Sequence, residues 1–331
     1  MALAHRSRSR RDAVAAALQR SGLGVLLRIA PAWRGLVVLN YHRIGTPGDG
    51  PFDPALWTAS AEDFDAQVAF LTRDFDVVGP EDAADAARRR TGRHVLITFD
   101  DGYRDNFTAA FPILRRHGAT ATFFLTTGFL DAPRLAWWDE VAWMTGGRDT
   151  AAHVARAKAL PGGAIEGFLD DLGVRMGTGR APATAAAGTW MTWDMARRMA
   201  AAGMAFGGHT VNHPILGRLD PAAQRAEILG CKARLERELG PMRWFSYPNG
   251  DPGSYDAHTR AALAEAGVEL AFAFDGGFQG RGRFDPYAVP RIAAGPGTGR
   301  DRFAATVTLP QLFCAPRPAR RDSHPHTRSA R

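Results

Sequence analysis

Cysteine is scarce in this chain. Cys231 and Cys314 are the two present among 331 residues. They allow neither a disulfide framework nor a CxxC metal knuckle, and nothing here requires an oxidising compartment. Cys231 falls on an apolar helical stripe and reads as core. Long apolar runs are missing too: none reaches the roughly 18 uninterrupted residues of a spanning helix. The stretch AVAAALQRSGLGVLLRIA is broken by Arg20, Gly22, Gly24 and Arg28, so it does not read as a signal peptide. No repeat with a period of roughly 20–50 residues is present. No recognition module for nucleic acid accompanies the basic residues, so nucleic acid is not an expected partner. These absences place the expected chain in the cytoplasm or peripherally at the inner membrane.

What is present fits a globular protein with a sizeable core: 45% hydrophobic and 23% charged residues, with a net charge of +7. Much of the positive excess sits in HRSRSRR at 5–11 and RPARRDSHPHTRSAR at 317–331. Such runs are expected to be solvated tails, with contact to anionic lipid headgroups as the alternative.

Between the tails, strand and helix patterns alternate. GLVVLNYHRIG (35–45) and HVLITF (94–99) read as buried strands, and ATATFFLTTGFL (119–130) as a β-branched, aromatic strand. MAFGGH, RWFSYPNG, ELAFAF and YAVPRIAA follow as further strands. Helices are expected around Phe64, Val68 and Leu71, after the strand ending at Phe99, over 192–202, from Asp220-Pro221 through Leu239, and over 256–266. This alternation means parallel βαβ units, in a barrel or a doubly wound sheet. Residues at about 134–188 are rich in Ala and Gly with weak periodicity, and read as a partly helical insertion. The expected division is a basic segment 1–34, a main domain 35–298 with that insertion, and an extension 299–331.

Catalytic residues of such folds gather at the C-terminal strand ends. His42, Asp100, Asp101, His209 and the YPNG turn all fall there. In GGHTVNHP (207–214) two histidines stand four apart, which brings them together on a helix face or in a tight turn. Two imidazoles and a carboxylate can hold a divalent metal with positions left open. Beside them, a second carboxylate can take a proton from water. Asp100 and Asp101 supply two acids, provided the strand's alternation of faces fails at its end.

TFDDG, HTVNH and FSYPNG, in this order, resemble the first three motifs of the polysaccharide deacetylase family, and the resemblance runs over roughly residues 35–295. LNYHRIG and AWWDEV resemble its exopolysaccharide-associated branch, akin to poly-N-acetylglucosamine deacetylases. The resemblance implies a distorted (β/α) barrel of about seven strands in a single domain with a helical insertion. It implies metal-dependent removal of N-acetyl groups from a polysaccharide or oligosaccharide, with Zn2+ the first choice of metal. By position, Asp100 resembles the catalytic base that activates a metal-bound water. Asp101, His209 and His213 resemble the metal ligands. Asn249 resembles the backbone oxyanion donor, and Tyr247 shares its turn as an oxyanion or substrate-binding position.

Two departures stand out. Ser246 occupies the place where many members carry an arginine that orients the base, and Arg291 can supply that guanidinium or lie at the surface. The late Leu-x-His motif is absent, since TLPQLF (308–313) has no histidine. His42 is then the candidate general acid, or else a buried structural histidine. Trp137 and Trp138 form a sugar-stacking wall or anchor the insertion. Tyr103 and Asp105 touch substrate, or Asp105 caps a helix. The alternatives to a deacetylase are a hydrolase of another non-peptide amide, an iron oxygenase and a non-catalytic glycan-binding protein.

Overall fold

The structure, a computed structural model, describes residues 10–29, 35–48, 52–88, 93–279, 284–295 and 298–314. Of the basic runs at 5–11 and 317–331, Arg10 and Arg11 are described and the rest lies outside these residues.

Seven parallel strands form a distorted barrel: β1 (Leu36–Tyr41), β2 (His94–Phe99), β3 (Thr122–Leu125), β4 (Ala205–Gly208), β5 (Trp244–Ser246), β6 (Leu270–Phe272) and β7 (Ile292–Ala293). Their order is β7-β1-β2-β3-β4-β5-β6, and a short strand, Asp76–Val77, pairs with His94 and Val95 at the start of β2. β1 and β2 run in register from Leu36↔His94 to Tyr41↔Phe99. Every residue of both is buried, as expected of parallel strands covered on both faces. Phe99 stacks on Phe123 and on Tyr41, with centroids 4.8 and 5.3 Å apart.

Two sequence expectations change here. ATATFFLTTGFL is strand only from Thr122 to Leu125, and Thr127–Asp131 is helical. The amides of Thr127 and Gly128 donate to the carbonyls of Thr210 and Val211, at 3.1 and 2.8 Å, instead of continuing a ladder. YAVPRIAA is likewise interrupted. Val289 bridges to Phe272, and the ladder to β1 resumes only at Ile292. Pro290 lies between them and has no N–H to donate. This segment closes the barrel between β6 and β1.

Helices form where capping and periodicity agree. α1 (Arg10–Arg20) and α2 (Leu23–Ile29) precede β1. The helix Ala61–Asp74 starts on Ser60, which accepts from the Asp63 amide, and buries Phe64, Val68 and Leu71. The insertion contributes α3 (Trp137–Thr145), α4 (Thr150–Lys158) and α5 (Ala164–Met176). They close their own aromatic core around Phe129, Trp138, Phe168 and Trp190. α6 (Pro221–Leu239) is capped by Asp220 and buries Ile228, Cys231 and Leu235 against β5 and β6. α7 (Arg300–Thr308) and α8 (Pro310–Phe313) end the described chain, and α1 packs on α7.

At β4 the backbone itself must be thin. A Cβ on Gly207 would meet the Trp244 carbonyl oxygen at 2.6 Å and the Phe124 ring at 2.7 Å. Gly207→Ala should therefore cost roughly 1–3 kcal/mol through overpacking and lower Tm by a few degrees. Thermal unfolding checks this, and an unchanged Tm would refute the close approach.

Candidate metal centre and active site

The chain passes from β2 into the site through an unusual turn. Asp100 continues the strand, its amide donating to the Tyr41 carbonyl at 3.0 Å. Asp101 then adopts φ 75°, a left-handed conformation that is uncommon outside glycine. Strict alternation ends there, and both carboxylates line one cavity.

The histidine loop is a tight turn, not a helix. Thr210 and His213 also take left-handed conformations, φ 67° and 59°. Thr210 Oγ1 accepts from the His213 amide at 2.9 Å, and the Glu227 carboxylate accepts the amides of Val211 and Asn212 at 2.9 and 2.8 Å. The result brings His209 Nε2 and His213 Nε2 to 3.4 and 3.3 Å from Asp101 Oδ1. The three ligand atoms lie within 4.8 Å of one another, and all three residues are buried.

This donor set fits a divalent metal. Asp101 Oδ1 is enclosed yet accepts no hydrogen bond among the described residues, an expensive condition for a buried carboxylate unless a cation completes it. His209 Nδ1 lies 2.7 Å from the Ser246 carbonyl, so Nδ1 carries the proton and Nε2 presents its lone pair. Burial raises the Asp101 carboxyl, but the facing imidazoles outweigh it and hold the acid well below the usual carboxylate range. Burial lowers His213. It also opposes charge on His209, where the neighbouring Asp100 and Asp101 prevail and raise the pKa.

Asp100 is held by a different set of partners. Arg291 Nη1 donates to Asp100 Oδ1 at 2.8 Å, with both side chains buried. Arg291 Nη2 donates to Ser246 Oγ at 2.8 Å, and Ser246 Oγ donates onward to Asp100 Oδ2 at 3.2 Å. Asn40 Nδ2 donates to the same oxygen at 3.3 Å. Arg291 is thus a buried partner of Asp100 rather than a surface group. Burial would raise Asp100; the charges of Arg291 and His209 overcome this and keep it below the ordinary range.

His42 lines the same cavity. Its amide donates to Thr58 Oγ1 at 3.2 Å and its carbonyl accepts from Asn106 Nδ2 at 2.7 Å. The imidazole is partly exposed and makes no hydrogen bond among the described residues. Asn249, at φ 63°, also borders the cavity, and its backbone N–H has no acceptor among the described residues. Tyr247 borders it as well, but its hydroxyl donates to the Tyr287 carbonyl at 3.0 Å and its ring stacks on Tyr255.

The cavity, about 240 Å³, extends between loop 53–56 and the insertion, where Trp137, Trp138, Val154 and Lys158 line it. Trp138 both anchors and lines. Its ring packs on His213 at 4.4 Å and its Nε1 donates to Tyr103 at 2.9 Å. Tyr103 is fully buried, donating to Asp139 Oδ2 at 2.7 Å, and does not line the cavity. Asp105 is no helix cap: its carboxylate accepts Arg43 Nε at 2.8 Å and the Ile44 amide at 3.0 Å.

Sequence reasoning missed Asn40, Asn106 and Asp139. A lone amide in the apolar run LVVLNY was the available sign of Asn40. Asp139 also accepts the Asp53 amide at 3.0 Å, which ties the cavity's outer loop to the insertion.

A parallel (β/α) barrel that brings a carboxylate and two imidazoles together at its strand ends, beside an arginine-clamped acid, defines the class: a barrel protein with a candidate three-donor metal centre. The chain belongs to the polysaccharide deacetylase family, whose model, described as polysaccharide deacetylase, matches residues 87–271. The Bacillus subtilis (strain 168) protein YxkH, named for the same family, is 22% identical over 277 residues, covering 82% of this chain and 76% of that protein. Streptococcus pyogenes deacetylase PplD, solved in complex with acetate, superimposes with a TM-score of 0.59 at 20% identity, covering 83% of this chain and 99% of that one. IcaB from Ammonifex degensii gives 0.55 at 23% identity, covering 83% and 97%. At these identities the structural likeness speaks to the shared fold.

Burial raises Asp139 to about 7, far above the roughly 3.9 of an unfolded aspartate. Between those values the unfolded chain releases this proton while the folded chain keeps it, so the group's contribution to stability falls as pH rises. Asp139→Asn abolishes that fall. The variant's Tm minus the parent's should therefore be larger at a pH of about 7.5 than at about 4.5; equal differences at both would refute the assignment.

Proposed function

We propose that the chain is a metal-dependent de-N-acetylase of an N-acetylated polysaccharide or oligosaccharide. The observation that carries this is the meeting of Asp101, His209 and His213 around one enclosed carboxylate oxygen, with Asp100 on the same cavity. Asp101 and the two imidazoles would hold the ion, with zinc the first choice for two nitrogens and one oxygen. Such an ion supplies Lewis-acid polarisation of the acetamide carbonyl and acidifies water.

The remaining steps fall to the chain's own groups. Asp100 takes a proton as water attacks the acetyl carbon. Arg291, Ser246 and Asn40 keep its carboxylate ionised and oriented. The Asn249 N–H donates to the oxyanion, a contribution of about 2.7–4 kcal/mol in comparable sites. As the C–N bond breaks, His42 gives its proton to the departing amine, leaving acetate and a free amino sugar. Its unengaged imidazole supports this role over that of a buried structural histidine. The acetate held by PplD is the product this reaction would release. The division into segments 1–34, 35–298 and 299–331 belongs to the same reading, with catalysis confined to the middle one.

Incubation with a panel of N-acetylated oligosaccharides should release acetate, and chelator should stop it. Asp101→Ala or His213→Ala should lose both metal and acetate release. Asp100→Asn should keep the metal and lose activity by roughly 10²–10⁴-fold. Equal metal loss in all three would undo the division of roles. Metal binding without acetate release from any glycan would favour another amide substrate or a glycan-binding protein.

His42→Ala should keep the metal and slow turnover by roughly 10²-fold or more. An unchanged rate would remove His42 from the mechanism.

A further inference from the structure

Seven large apolar side chains are exposed among the described residues, and five of them lie on α1, α2 and α8: Val14, Leu23, Val25, Leu26 and Leu312, at 58%, 47%, 49%, 62% and 63% exposure. These helices form one layer with α7. Ala15, Ala305, Leu309 and Phe313 make its buried seam, with Leu18 and Leu27 against them. The exposed aliphatics therefore belong to the layer's other side.

The chain's charge is concentrated in the sequence just before α1 and just after α8. Residues 1–11 hold four arginines and no acid, and residues 315–331 hold five arginines and one aspartate. The two segments carry a net +8 against +7 for the whole chain, so residues 12–314 sum to −1. One segment runs into α1 and the other leaves α8. The four helices contain two acids, Asp12 and Asp301, and Asp12 is paired with Arg302 at 3.3 Å. No helix among the described residues is long and apolar enough to cross a membrane.

We propose that the outer side of α1, α2 and α8 rests on a membrane surface carrying anionic phospholipid, its aliphatic side chains entering the interface while the flanking arginine segments meet headgroups. Apolar burial and headgroup attraction add in such contacts, and neither alone holds well. A second copy of the chain is the poorer occupant. A two-fold interface sets each patch against itself, and would bring two +8 segment pairs together. The inference stands apart from the deacetylase chemistry, since no residue of the catalytic cavity takes part.

Full-length protein is mixed with phosphatidylcholine vesicles, or with vesicles containing about one part phosphatidylglycerol to three parts phosphatidylcholine, and sedimented. Binding to the mixed vesicles should exceed binding to phosphatidylcholine alone by roughly tenfold or more, and should weaken with salt. The double variant Leu26→Glu/Leu312→Glu should lose most of that binding, with parental Tm and acetate release. Leu26→Ser/Leu312→Ser should lose an intermediate share, since it removes apolar area without adding charge. Absence of binding to the mixed vesicles would overturn the proposal. So would binding that both double variants retain, which would mark a polyanion contact by the arginine segments alone. A parental mass twice that of the chain by light scattering, halved by either double variant, would hand the face to a second copy.

Discussion

At Asp101 the chain leaves β2 through a left-handed turn, φ 75°, and the site depends on that one backbone choice. In an extended strand Asp100 and Asp101 would face opposite sides. The turn sends both toward one cavity, where one can answer two imidazoles and the other an arginine. Four of the five non-glycine residues with positive φ among the described residues are Asp101, Thr210, His213 and Asn249. Each such conformation costs on the order of 1–3 kcal/mol and persists only where its surroundings over-determine it. Here the restraints are specific: the Thr126 amide on the Asp101 carbonyl, the Gly102 amide on that of Asp100, and the Thr210 hydroxyl accepting the His213 amide.

The same rim separates two electrostatic tasks. Asp101 is faced by neutralisable imidazoles and keeps an unengaged oxygen between them. Asp100 is faced by the Arg291 guanidinium, and its oxygens accept from Arg291, Ser246 and Asn40. Neighbouring acids in one cavity repel when both are ionised, so each needs a positive counterpart. Ser246 does not leave Asp100 without a guanidinium partner. The guanidinium enters from residue 291, and the short serine hydroxyl relays between it and the acid.

Much of this was legible from the residues, and the failures have physical causes. The apolar runs of β1 and β2 read as buried strands because parallel strands are covered on both faces. The HTVNH spacing singled out the two histidines that meet Asp101 without deciding between helix and turn. Composition extends the strand over 119–130 too far because β-branched and aromatic residues continue past Leu125. The hydrogen bonds that end it come from the histidine loop some 80 residues away. Asp105 looked like a cap because it stands before a helix, yet Arg43 and the Ile44 amide claim its carboxylate. Tyr103 looked available because it follows the Asp pair; Asp139, Trp138 and Trp190 enclose it.

By itself the sequence determined the alternation of strands and helices, the motif order that marks the family, and which residue types could meet at the strand ends. These are local properties: periodicity, caps and short spacings act between neighbours along the chain. Tertiary structure decided which groups actually meet. Arg291 reaches Asp100 only because a proline-broken segment closes the barrel between β6 and β1. Trp138 supports His213 only because the insertion folds back over the rim. Contacts across 75 to nearly 200 residues depend on where whole elements pack, and no short window of sequence carries that information.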